Sequence, residues 1–91
     1  MNIDDEQGKI IGMYLRRNTL LRSVSLEGNL CGPKTAMEFG KALQVNTTLK
    51  CLNFDSNQLA AENGSDKIGI YEFVEFLPKN TTLLSLSISN N

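Results

Sequence analysis

Histidine is the commonest general base and metal ligand near neutral pH, and this 91-residue chain has none. Its two cysteines, Cys31 and Cys51, stand apart rather than as a CxxC pair, which argues against zinc binding and Cys-His catalysis. A disulfide is not expected either. Met1, Asn2, Ile3, Asp4, Asp5 and Glu6 make an acidic start where a secretion signal is basic and then apolar. The serines and carboxylates show no recognisable nucleophile, acid or base arrangement, so no catalytic residue is assigned and the chain reads as a non-enzyme. Three Asn-x-Ser/Thr sequons begin at Asn46, Asn63 and Asn80, but glycosylation needs a secretory route.

Composition narrows the options further. Apolar residues make up 41%, charged residues 21% and aromatic residues 7%, the balance of one ordinary soluble domain. Nine basic against ten acidic residues leave a net charge of -1, so neither nucleic acid nor a membrane surface is expected as a partner. Apolar runs are only a few residues long, against the roughly 20 that span a bilayer. A cytoplasmic domain follows. A compact globule of this size buries only about 60% of its unfolded surface, and no cofactor, metal or disulfide is expected to reinforce it.

Self-similarity explains how so short a chain holds together. The segment Asn46, Thr47, Thr48, Leu49 returns as Asn80, Thr81, Thr82, Leu83 and, more loosely, as Asn18, Thr19, Leu20, Leu21, at spacings of 34 and 28 residues. Each copy opens the pattern LxxLxLxxNxL. The first runs through Leu21, Val24, Leu26, Asn29 and Cys31; the second through Leu49, Leu52, Phe54, Asn57 and Leu59; the third through Leu83, Leu86, Ile88 and Asn91. Before each copy, apolar or small residues recur at i, i+3, i+4 and i+7, one face of a helix. They are Gly8, Ile11, Gly12 and Leu15; Ala36, Phe39, Gly40 and Leu43; Ile70, Phe73, Val74 and Leu77. The unit is helix, turn, strand. Gly12 and Gly40 would let neighbouring helices approach closely, and Val74 breaks that trend. Asn18, Asn46 and Asn80 are expected to end the helices in the left-handed conformation. Asn29 and Asn57 are expected to form a ladder, pairing with backbone groups exposed where the chain leaves the strand.

These residues resemble a leucine-rich repeat protein, and the 28-residue period with an Asn-Thr-Thr-Leu helix exit is similar to the ribonuclease-inhibitor-like subclass. The repeats look like those of tropomodulins and of nucleotide-binding innate immune receptors. The resemblance implies an α/β fold, a short solenoid of three helix-strand units with a parallel concave sheet and convex helices. It implies one domain over residues 1–91, with units about 1–29, 29–57 and 57–91, complete or as a fragment of a longer array. It also implies a protein ligand and a scaffold role. Two alternatives stand beside that one: regulation of a partner such as a small GTPase through a presented Arg22, or actin-filament binding of the tropomodulin type.

Alternation along parallel strands would turn Ser23, Ser25 and Glu27, then Cys51, Asn53 and Asp55, then Ser85, Ser87 and Ser89 to the concave side. This face is small, polar and mildly acidic. It reads either as a solvated sheet surface or as a docking face for a basic segment. Ile10, Met13, Tyr14, Met37, Tyr71 and Phe76 lie off the inward stripe and are expected to pack between adjacent helices. The third unit carries six extra residues, within the polar stretch from Ala60 to Lys67, read as a surface loop. Neither end shows a polar capping unit, so self-association through uncapped ends is expected.

Overall fold

The computed structural model describes residues 2–61 and 64–91, so the part of the inserted loop around Asn63 lies outside the described residues. Among the described residues three helices alternate with three short strands: α1 (Asp5–Leu15), β1 (Ser23–Ser25), α2 (Pro33–Leu43), β2 (Cys51–Asn53), α3 (Ile68–Phe76) and β3 (Ser85–Ser87), with a 3-10 turn at Leu77–Lys79 following α3. The strands form one parallel sheet in the order β1-β2-β3. The helices follow the same order, α2 packing against both α1 and α3. This is an α/β arrangement with one helix-strand pair per repeat, as the periodicity predicts.

The apolar positions of the pattern fill the space between the two layers. Leu15, Phe39, Leu43 and Phe73 come from the helices; Leu26, Leu49, Leu52, Phe54 and Leu59 come from the strands and their flanks. Phe54 sits at the centre, its ring edge-on to Phe39 at 4.7 Å and to Phe73 at 6.3 Å. Cys31, standing where the repeat has Leu, is fully buried. The edge of the sheet is less well covered: Leu21 is 39% exposed whereas its counterpart Leu49 is fully buried.

The expected ladder after the strands is present. Asn57 Oδ1 accepts from the Cys31 amide at 3.0 Å, and its Nδ2 donates to the carbonyls of Leu26, Phe54 and Asp55. Asn29 repeats this with Ile3, Leu26 and Glu27, and Asn91 with Leu59, Phe54, Ile88 and Ser89. The residue before each of them adopts the left-handed region: Gly28 at φ 72°, Ser56 at 57° and Asn90 at 58°. That bend is what leaves carbonyls free for the amides to collect.

The asparagines after the helices do different work from that expected. The caps of α1 and α2, Arg16 and Gln44, keep right-handed φ values of -55° and -64°, and Asn80 is extended at φ -92°. Asn18, Asn46 and Asn80 instead form a second ladder. Each accepts two backbone amides of the following turn through Oδ1. Asn46 Nδ2 also donates to the Leu15 and Asn18 carbonyls, and Asn80 Nδ2 to the Leu43 carbonyl, reaching the preceding unit. Their amides are therefore spent on the fold, which leaves Asn46, only 4% exposed, unsuited to carry a glycan.

Helix starts are stabilised unequally. Asp4 caps α1 in a reciprocal box with Gln7. Pro33 is the first residue of α2, where its missing N–H is harmless, but α2 has no side-chain cap of its own. Asp5 of α1 supplies it, accepting from the amides of Gly32, Lys34 and Thr35 at 2.9, 3.1 and 2.8 Å and from the Thr35 hydroxyl at 2.9 Å. Asp5→Ala is expected to cost about 1–2 kcal/mol in urea denaturation, the range for loss of an N-cap. Wild-type stability in that variant would show that the cap contributes nothing.

Candidate protein-binding face

Register places the nine residues named from alternation in three rows across the strands. Ser23, Cys51 and Ser85 align, as do Ser25, Asn53 and Ser87. Glu27, Asp55 and Ser89 follow one step beyond. Among these nine, Asn53, Asp55 and Ser87 are half-buried and the rest are exposed. The burial pattern follows from the pleat, because Val24, Leu52 and Leu86 between them turn toward the core.

The nine are not equivalent chemically. Asp55 Oδ1 accepts from the Ser87 hydroxyl at 2.6 Å and the Ser89 amide at 2.7 Å, so its carboxylate ties two strands together. Asn53 Oδ1 accepts from the Asp55 amide at 2.8 Å. Glu27 is exposed, and its carboxylate is the face's freely presented charge. Ser23, Ser25, Cys51 and Ser85 carry short side chains and are exposed. Nothing in the sequence pattern distinguishes the structural carboxylate from the presented one.

Both thiols are free, Cys51 on this face and Cys31 in the core. Burial pushes the Cys31 thiol above its usual value, more than its hydrogen bond with Thr35 draws it down. A thiol reagent such as Ellman's is expected to titrate one cysteine in the native protein, at Cys51, and the second only on unfolding. Two equivalents reacting at one rate would contradict the placement of Cys31.

The other candidate groups are dispersed. Arg22 is exposed, and its backbone carbonyl accepts from the Lys50 and Cys51 amides. Arg16 pairs with Glu38 of α2 at 3.0 Å, where it joins the helices rather than standing free. Among the described residues no group of three or more His, Cys, Asp or Glu is placed to hold a metal ion, and no helix is long and apolar enough to cross a membrane.

The flanks of the helices depart from expectation. Phe76 is half-buried against Gly40 of α2 as predicted and Met37 is half-buried, but Ile10, Met13, Tyr14 and Tyr71 are 62%, 50%, 65% and 65% exposed. Ile10 and Tyr14 occupy the positions of Glu38 and Ala42 one repeat later, and those face α1. In the structure α1 has a helical neighbour on one side, so its own counterparts stay open.

Comparison with models of known protein families finds no match. Over 72 residues the chain is 38% identical to the protein CARMIL of Dictyostelium discoideum, a stretch covering 79% of this chain and 6% of that protein. Among solved structures it resembles leiomodin-1 actin-binding site 2, with a TM-score of 0.73 and 28% identity over 93% of this chain and 47% of that one. The chain thus spans a small part of the first and about half of the second. The repeat, the two asparagine ladders and this likeness together describe a leucine-rich-repeat-like fold.

Proposed function

We propose that the chain is a non-catalytic protein-interaction module: a single leucine-rich-repeat domain, three units of a solenoid of the ribonuclease-inhibitor-like subclass, acting in the cytoplasm. The partner surface is the open sheet face formed by Ser23, Ser25, Glu27, Cys51, Asn53, Asp55, Ser85, Ser87 and Ser89. Its short polar side chains suit an extended or irregular segment, and Glu27 gives it a preference for a basic one. The parallel sheet with one uncovered face is the observation that carries this reading.

Actin is the first partner to test. The support is the likeness to leiomodin-1 actin-binding site 2, which extends over 93% of the chain. Co-sedimentation with actin filaments is expected to be saturable, and Glu27→Lys to weaken it about tenfold, the equivalent of about 1.4 kcal/mol. Glu27 is the suitable position because its carboxylate is exposed, whereas Asp55→Lys would also break the bonds to Ser87 and Ser89. Failure of the unmodified chain to co-sediment would sink the actin reading.

A further inference from the structure

The exit of the first helix carries residues that the repeat does not ask for. Arg16, Arg17, Asn18, Thr19 and Leu20 stand where the second unit has Gln44, Val45, Asn46, Thr47 and Thr48 and the third has Pro78, Lys79, Asn80, Thr81 and Thr82. The shared Asn and Thr belong to the fold; the paired arginines and the leucine are particular to the first unit. Arg16 has a structural role in its ion pair with Glu38. Arg17 and Leu20 are exposed, Leu20 by 83%.

Thr19 is exposed as well. Its counterpart Thr47 belongs to the middle unit, whose helix has a neighbour on each side, and is exposed all the same. This corner of the repeat therefore stays open with a unit packed before it. Val45, the counterpart of Arg17, is 60% exposed in the same setting. The turn that carries Thr19 is also weakly tied. The Arg17 and Asn18 amides reach the Tyr14 and Leu15 carbonyls at 3.3 Å, just beyond the usual range. Thr48 secures the second turn by donating its hydroxyl to the Leu21 carbonyl at 3.1 Å, a bond that Leu20 cannot make. A helix exit held in this way opens locally at little cost, and the Arg16–Glu38 surface pair yields readily, so the segment can extend.

We propose that Thr19 is a phosphorylation site for a basophilic Ser/Thr protein kinase, one whose substrate groove offers carboxylates to Arg16 and Arg17 and an apolar pocket to Leu20. Thr19 Oγ1 attacks the γ-phosphorus of ATP. The new O–P bond replaces the one to the bridging oxygen, ADP leaves with that electron pair, and the hydroxyl proton passes to the kinase's catalytic carboxylate. The phosphate brings a charge of about -1.5 to -2 near neutral pH and offsets the cations of Arg17 and Arg22 on either side of it in the chain. Ser25 is the competing acceptor, with Arg22 ahead of it and Leu26 after it. It lies in β1, however, and Leu26 is 5% exposed, so a kinase would have to draw the strand out of the sheet. The Thr19 site is separate from the open sheet face and does not depend on the actin reading.

The test incubates the folded chain with ATP, magnesium and the catalytic subunit of cyclic-AMP-dependent protein kinase, and locates phosphate by tandem mass spectrometry. A single phosphate is expected, on Thr19. Thr19→Ala is expected to abolish incorporation, and Arg17→Ala and Leu20→Asp each to slow it about tenfold, while Arg22→Ala leaves the rate unchanged. The amide NMR spectrum of the product is expected to stay dispersed, with shifts confined to the α1 exit. No incorporation, phosphate on Ser23 or Ser25 in place of Thr19, incorporation only after unfolding in urea, or a rate indifferent to Arg17→Ala would overturn the proposal.

Discussion

Phe54→Ala is expected to be the most damaging single truncation, lowering stability by about 3–5 kcal/mol. Phe54 is fully buried and bridges the ring of Phe39 on α2 to that of Phe73 on α3. Removing it opens a cavity under both helices, and only the strand layer remains to fill it. A domain of this size holds roughly 5–15 kcal/mol in total, so the variant would sit close to its unfolding threshold. Thermal unfolding should fall by upward of about 12 °C, given about 4–8 °C per kcal/mol at this length. A loss below about 1 kcal/mol would mean that the helices close over the gap and that the three rings do not organise the core.

Asn57→Ala is expected to cost about 2–3 kcal/mol, although it removes few atoms. Asn57 is 6% exposed and satisfies one amide and three carbonyls, those of Cys31, Leu26, Phe54 and Asp55. Truncation leaves the Cys31 amide unpaired in a buried place, at about 1–3 kcal/mol unless water enters, while the carbonyls of Leu26, Phe54 and Asp55 lose one of two donors and keep Asn29, Asn91 and the Gly28 amide. Asn29 makes similar bonds at a half-buried position, where water can substitute, so Asn29→Ala should cost distinctly less. Urea denaturation of the two variants is the measurement. Equal losses would show that the ladder acts through something other than the burial of its partners.

Much of this fold is legible in the residues because the constraint is periodic. The apolar positions of LxxLxLxxNxL must face a core, and Leu26, Leu52 and Phe54 do so. Asn29, Asn57 and Asn91 must collect bent-out carbonyls, and they do. Local propensity misled where a side chain could act at longer range. Asn18, Asn46 and Asn80 stand where helices end, but they stabilise the exit with side-chain bonds instead of left-handed backbone. The left-handed residue falls elsewhere, at Gly28, Ser56 and Asn90, three residue types whose equivalence only the register reveals. Asp5 was illegible as a cap because its counterparts are Pro33 and Lys67, so no repeat flags it.

The candidate face divides in the same way. Alternation is enough to place Ser23, Ser25, Glu27 and their counterparts on one side of the sheet. It cannot separate Glu27 from Asp55, since that difference arises from bonds between strands. Exposure of Ile10, Met13 and Tyr14 was equally hidden, because a helix flank packs or stays open according to what lies beside it.

Cys51 permits the most direct test of the proposal that the open sheet face binds a protein partner. It lies in the central strand, in the row with Ser23 and Ser85, and is the exposed one of the two thiols. A maleimide-coupled polyethylene glycol placed there would cover the face while leaving the core and the α1 flank intact. Filament co-sedimentation is expected for the unmodified chain and to fall at least about tenfold for the adduct, about 1.4 kcal/mol or more. An adduct that binds filaments as tightly as the unmodified chain would contradict the assignment of this face.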